Sequence, residues 1–208
     1  MAGIIWSLSW PLICYGLSVE LASLVFRNQE PLLYTMAGAA WVIPFFIGIY
    51  GREPGKRDQW REFGRKEVAG WGLLGIGGSL LVNTLIKISG IARIFPGFSQ
   101  ISPQIYRLPF VLQFCAAGIG IPVAEELIFR GLMFGHVREE WPFARSAVIT
   151  SLLFGIYHGN VLQAAYGFVM GMLFALGMEK KGTILVPITM HIWANVASLA
   201  ITWFQGTG

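Results

Sequence analysis

Charge is scarce in this chain. Only 12% of its 208 residues are Asp, Glu, Lys or Arg, about half the share of a soluble globular protein. No polar stretch is long enough to fold as a second domain, so residues 1–208 read as one unit. The chain has three histidines, and two cysteines at positions 14 and 115. Cys14 and Cys115 lie inside apolar runs without matching spacing, and they read as buried thiols packing as small hydrophobes. There is no basic face interleaved with aromatics, so nucleic acid is not an expected partner. The segment Met1–Trp6 lacks the basic start and small-residue cleavage site of a signal peptide. Its apolar run is therefore expected to stay as a membrane span.

Apolar sequence fills the space that charge leaves. Hydrophobic residues make up 55% of the chain, and the mean hydropathy is +0.61. A helix needs roughly 20 mostly apolar residues to cross a bilayer. On that measure the sequence predicts an all-α polytopic transmembrane bundle of about seven helices, with six to eight as the range. The runs are Ile4–Phe26, Pro31–Tyr50, Val68–Ile88, Leu108–Phe134, Ser146–Tyr157, Val161–Met178 and Ile184–Phe204. The fourth is long for one perpendicular crossing, and Pro122 is expected to kink it. The fifth is short unless it starts near Pro142 or continues past His158. Polar Gly51–Glu67 and Pro/Gly/Ser-rich Ser89–Tyr106 read as loops, the second surface or re-entrant. Residues 1–106 form an N-terminal helical part, and 107–204 hold the polar motifs.

Lys and Arg fall unevenly between the runs. Arg52, Lys56, Arg57, Arg61, Arg65 and Lys66 crowd the first loop, and alternation adds Arg138, Arg145, Lys180 and Lys181 to the same side. The positive-inside rule makes that side cytoplasmic and predicts a cytoplasmic N-terminus of a multi-pass cell-membrane protein. Glu20 and Lys87, near the other ends, are explained by snorkelling.

The fourth run is interrupted by Glu125, Glu126 and Arg130. Each charge at a helix centre costs on the order of 2.5–3.5 kcal/mol on the insertion scale. Glu126 and Arg130 are four apart and can pair on one face. Glu125 points about 100° away and needs another partner. Candidates lie downstream: His158 after Phe154, and His191 with Asn195 one turn along the seventh run. From their cytoplasmic ends, Glu125, His158 and His191 all lie roughly 12–18 Å deep. His136, in the Gly135–Glu140 stretch, reads as a surface loop residue, and Gly167 with Gly171 reads as a small-residue packing stripe.

The ordered set Glu125-Glu126-x-x-x-Arg130, Phe154-x-x-x-His158 and His191-x-x-x-Asn195 resembles the CPBP intramembrane proteases. That family includes type II CAAX prenyl endopeptidases and bacteriocin-processing or self-immunity proteins. The resemblance covers about residues 120 to 200. It implies a helical membrane peptidase with a site open toward the cytoplasm. By position it makes Glu125 the base that activates water, and His158 the residue that holds that water. His191 and Asn195 would stabilise the oxyanion, braced by Glu126 and Arg130.

Amide hydrolysis needs such a division of labour, with an activated water, a proton donor and an oxyanion site. Zinc offers a rival route, since Glu125, His158 and His191 could supply three ligands and leave a fourth position for water. No His-Glu-x-x-His pair is present, so a metal-free glutamate mechanism without cofactors is preferred. The expected partners are membrane lipids and a peptide or protein substrate, with or without a lipidated C-terminus. A non-catalytic immunity or regulatory binder is the alternative function. Proton-coupled transport fits less well, because the halves show no internal symmetry.

Overall fold

Residues 2–52, 63–95 and 108–205 are described by a computed structural model. Seven helices account for nearly all of them: α1 Ala2–Val25, α2 Pro31–Tyr50, α3 Arg65–Ser89, α4 Phe110–Glu140, α5 Phe143–Tyr157, α6 Val161–Lys181 and α7 Leu185–Phe204. A single turn, Ile91–Ile94, follows α3, and there is no strand among the described residues. All but α5 are long and apolar enough to cross a membrane. The fold is an all-α polytopic bundle. Most of the Gly51–Glu67 and Ser89–Tyr106 loop expectations lie outside the described residues.

Local chemistry sets several helix ends. Pro31 opens α2 from an extended Glu30, where its missing N–H costs nothing. The Asn160 side chain caps α6 by accepting from the Leu162 and Gln163 N–H groups. Gly90 (φ 70°) and Gly182 (φ 74°) close α3 and α6 in the left-handed region. Trp141, before Pro142, is extended and separates α4 from α5. The fifth helix thus reaches back to Phe143 and ends at Tyr157, so its short apolar run is extended at its start and not past His158.

Gly135–Glu140 is the last part of α4 rather than a loop, because the backbone stays helical until the Trp141-Pro142 break. His136 is accordingly half-buried, with its Nδ1 against the Leu132 carbonyl. Cys115 is exposed and Cys14 only half-buried. An apolar run need not face protein when the surroundings are themselves apolar, and Leu17, Leu21, Leu73, Leu81 and Ile88 also point outward.

Helix α4 is the centre of the bundle. It packs against α1, α2, α5 and α7, while α1 pairs with α2, α3 with α7, and α5 with α6. Every residue from Leu127 to Phe134 is buried. Close approach of α3 to α7 needs small residues, and a methyl group on Gly75 would overlap the Met190 backbone. Two ion pairs join helix ends on one side: Lys181 to Glu67 and Arg138 to Glu179, each at 2.8 Å. This groups the basic ends of α3, α4 and α6, as alternation predicts.

Candidate active site

The carboxylates sit on a short α-helical piece of α4, Ile121–Glu126, between two π-helical stretches, Phe114–Gly120 and Leu127–Phe134. In a π turn each N–H bonds the carbonyl five residues back, and such turns concentrate at functional sites. The Ile121 N–H donates to the Ala116 carbonyl in this way. The next bond would run from residue 122 to Ala117, but Pro122 has no N–H. The side-chain amide of Asn195 takes that place, with Nδ2 donating to the Ala117 carbonyl at 2.9 Å. A backbone carbonyl left unsatisfied in hydrocarbon costs several kcal/mol, so α7 repairs a defect in α4. The amide has a second N–H for another acceptor.

Glu126 is the hub of the buried polar cluster. Its Oε1 accepts from Arg130 Nη1 at 3.2 Å and from His191 Nδ1 at 2.7 Å. Glu126 and Arg130 are fully buried, and His191 is nearly so. The guanidinium lies 4.4 Å from the Phe154 ring centroid and 5.3 Å from that of Phe174, a cation–π setting that compensates part of its desolvation. The expected i, i+4 pair therefore forms although π-helical backbone begins between its members.

Glu125 finds its partner on α7. His191 Nε2 is 3.8 Å from Glu125 Oε2, so this imidazole bridges both glutamates. With Nδ1 donating to Glu126, Nε2 is the atom that faces Glu125 and any substrate there. His158 approaches from the end of α5. Its Nδ1 lies 2.8 Å from the Phe154 carbonyl; a carbonyl only accepts, so Nδ1 carries the proton and Nε2 presents a lone pair. The rings of His158 and His191 both meet Phe154 edge-on, at 4.9 and 5.8 Å.

The structure thus brings Glu125, Glu126, Arg130 and His191 into direct contact. It sets His158 beside them across Phe154, and it ties Asn195 to α4 one turn along from His191. His158 makes no direct contact with Glu125. Among the described residues no three His, Cys, Asp or Glu side chains are grouped to hold a metal ion.

Several participants were not visible as such in the sequence. The Gly167/Gly171 stripe does pack, but against the site. A methyl group on Gly171 would sit 2.6 Å from Arg130 Nη2, and one on Gly167 would sit 3.6 Å from His158 Nδ1. Phe174 is one of two rings on Arg130. Ser151 is fully buried near the guanidinium, and its hydroxyl, Arg130 Nε and Nη2, and Glu126 Oε2 have no hydrogen-bond partner. The spacing of Gly171 and Phe174 on one face was the available signal. It could not say which polar group they enclosed.

Residues 107–197 match the family model described as type II CAAX prenyl endopeptidase Rce1-like. The chain is 31% identical over 108 residues to "Putative membrane peptidase YdiL" of Bacillus subtilis (strain 168), covering 52% of this chain and 43% of that protein. It is 34% identical over 83 residues to "Uncharacterized 24.3 kDa protein" of Escherichia coli, covering 38% of each. It is 25% identical over 197 residues to "Membrane-embedded CAAX protease MroQ" of Staphylococcus aureus (strain USA300), covering 89% of this chain and 76% of that protein. The matched stretches span less than half the length of the first two relatives. No solved structure matches the chain significantly. Glu125, Glu126, Arg130, His158, His191 and Asn195 all fall inside the matched segment, which is similar to the Rce1-like type II CAAX prenyl endopeptidases.

Proposed function

We propose that this protein is an intramembrane endopeptidase that hydrolyses a peptide bond in a membrane-associated substrate. The observation that carries the reading is the His191 bridge between Glu125 and Glu126, at 3.8 and 2.7 Å. A base, an imidazole and a bracing ion pair meet where the surroundings are otherwise apolar. Glu125 takes a proton from water, and the lone pair on His158 Nε2 helps hold that water. Attack on the scissile carbonyl creates an oxyanion, which the spare Asn195 N–H and His191 stabilise. Glu126 and Arg130 hold His191 in place without touching substrate. The nitrogen leaving group then receives the proton from Glu125.

The relatives' names and the apolar setting support a lipidated C-terminus of CAAX type as the substrate, and the motif resemblance adds a bacteriocin-type peptide as the alternative. The site opens to the cytoplasmic side, where the basic loops and the N-terminus lie, and the reaction uses no metal. Glu125→Gln keeps the side chain's shape and removes the base. Comparative proteomics of membranes carrying wild-type or Glu125→Gln protein should reveal one membrane-associated substrate left uncut by the variant. If Glu125→Gln and His158→Ala leave every substrate and phenotype unchanged, the protein is a non-catalytic immunity or regulatory binder.

A further inference from the structure

A groove of about 520 Å³ runs between α3 and α6, and the peptidase reading leaves it unused. Every residue that lines it is apolar or glycine, among them Gly77, Leu81, Phe143, Val169, Leu173 and Leu176. Two adjacent glycines shape it. At Gly78 the helices are close, since a methyl group there would sit 2.6 Å from Leu173 Cδ2. At Gly77 the groove is open, and a methyl group would meet nothing within 4 Å. Helix α6 separates the groove from the candidate site. At about 100° per residue, Val169, Met172, Leu173 and Leu176 lie on the side of α6 opposite Gly171 and Phe174. Those last two are the residues of α6 that meet Arg130.

Positive charge continues the groove at one end. Lys180 lies about three helical turns beyond Val169 on the same face of α6, and Lys66 stands in the same relation to Gly77 on α3. Both lysines are exposed, and neither has an ion pair with a described residue. The acidic neighbours Glu67 and Glu179 are already engaged, by Lys181 and Arg138. The Lys181–Glu67 pair sets α3 and α6 level with each other at this end. At 1.5 Å per residue the groove extends from roughly 8 to 22 Å below that level. One leaflet of a bilayer supplies about 15 Å of hydrocarbon, so the groove follows the chains of a single leaflet.

We propose that this groove binds one anionic phospholipid, with an acyl chain along Gly77 and Leu173 and the phosphate between Lys66 and Lys180. An apolar slot below two free cations matches a molecule that is apolar along its chain and negative at its head. A lipid carried by the substrate does not suit this place, because the peptide attached to it must reach Glu125 and α6 stands between. The inference is independent of the peptidase reading. The bound lipid fastens α3 to α6 and, through Met170, backs the Phe174 ring that lies beside Arg130.

The test is native mass spectrometry of the full chain in detergent, with dioleoylphosphatidylglycerol or dioleoylphosphatidylcholine added. Wild type should hold one phosphatidylglycerol on the order of tenfold more tightly than phosphatidylcholine. Gly77→Phe puts a ring in the groove and should weaken phosphatidylglycerol binding about tenfold, the worth of two buried methylenes. Gly16→Phe adds the same ring to α1, where a methyl group also meets nothing within 4 Å, and should bind as wild type does. Lys66→Gln/Lys180→Gln should keep the phosphatidylcholine affinity and lose the preference for the anionic lipid. Phosphatidylglycerol should also raise the melting temperature of wild type and leave that of Gly77→Phe unchanged. Equal wild-type affinity for the two lipids overturns the proposal. So does undiminished phosphatidylglycerol binding in Gly77→Phe, or a preference that survives the double lysine substitution. Dimers without a lipid adduct, abolished by Gly77→Phe, would make the groove a contact between two copies and overturn it as well.

Discussion

The side chain of Asn195 on α7 holds the carbonyl of Ala117 on α4 at 2.9 Å, occupying the position from which Pro122 withholds a backbone donor. Because the π-helical hydrogen bonding fails at Pro122, the carbonyl of Ala117 orients a residue 78 positions after it in the chain. The proline thus does more than bend the helix.

Pro122→Ala would give α4 its missing N–H and let the Ala117 carbonyl be satisfied within the helix. The protein is expected to melt at the same temperature or higher, because an interior proline weakens a helix. Peptide turnover should nevertheless fall on the order of tenfold as Asn195 loses its anchor. In a double-mutant cycle, Asn195→Ala should add little to Pro122→Ala. Fully additive losses would show that the two residues act separately.

The buried pair of Glu126 and Arg130 is expected to be asymmetric to mutation. Removing one partner leaves the other charge buried and unpaired, at a cost of about 3–5 kcal/mol. Thermal unfolding in detergent should therefore be severely lowered for Arg130→Met or Glu126→Leu alone. The combined Glu126→Leu/Arg130→Met protein should regain most of that stability and remain inactive, because His191 has lost its acceptor.

Gly171→Ala places a methyl group 2.6 Å from Arg130 Nη2 and 2.9 Å from Ser151 Cβ. Overpacking of this kind costs about 1–3 kcal/mol, and the displaced guanidinium should carry Glu126 and His191 with it. Gly70→Ala is the matched control, since a methyl group there meets nothing within 4 Å. It should be as stable as wild type or slightly more so, helix propensity favouring alanine. Equal effects from the two substitutions would show that Gly171 has no special relation to the site.

Chelator-dialysed protein, verified free of zinc by elemental analysis, is expected to cleave at the wild-type rate. Loss of turnover with rescue by zinc alone would instead assign Glu125, His158 and His191 to a metal and replace the glutamate mechanism.

The spans were legible because a bilayer-crossing helix must be apolar along its whole length, and α2 was read to the residue. The three ordered motifs were legible because charge inside such a run is costly and therefore rare. What composition could not reveal was which face of each apolar helix meets protein. Cys115 and Leu81 face outward while Phe129 and Leu132 are buried, yet all have the same apolar character. The π-helical stretches left no signature in the periodicity, and the continuation of α4 through His136 overrode the polar look of Gly135–Glu140.

The groups of the candidate site were thus written in the order of residues: several apolar spans, two adjacent glutamates, an arginine one turn on, and two histidines on later helices. Packing alone decided that one imidazole serves both glutamates, that Asn195 completes another helix's hydrogen bonding, and that Gly171 makes room for a guanidinium. Those outcomes depend on distances between helices, which are set by how side chains from distant parts of the chain fit together. A linear pattern fixes which groups are available, and only their juxtaposition fixes which of them meet.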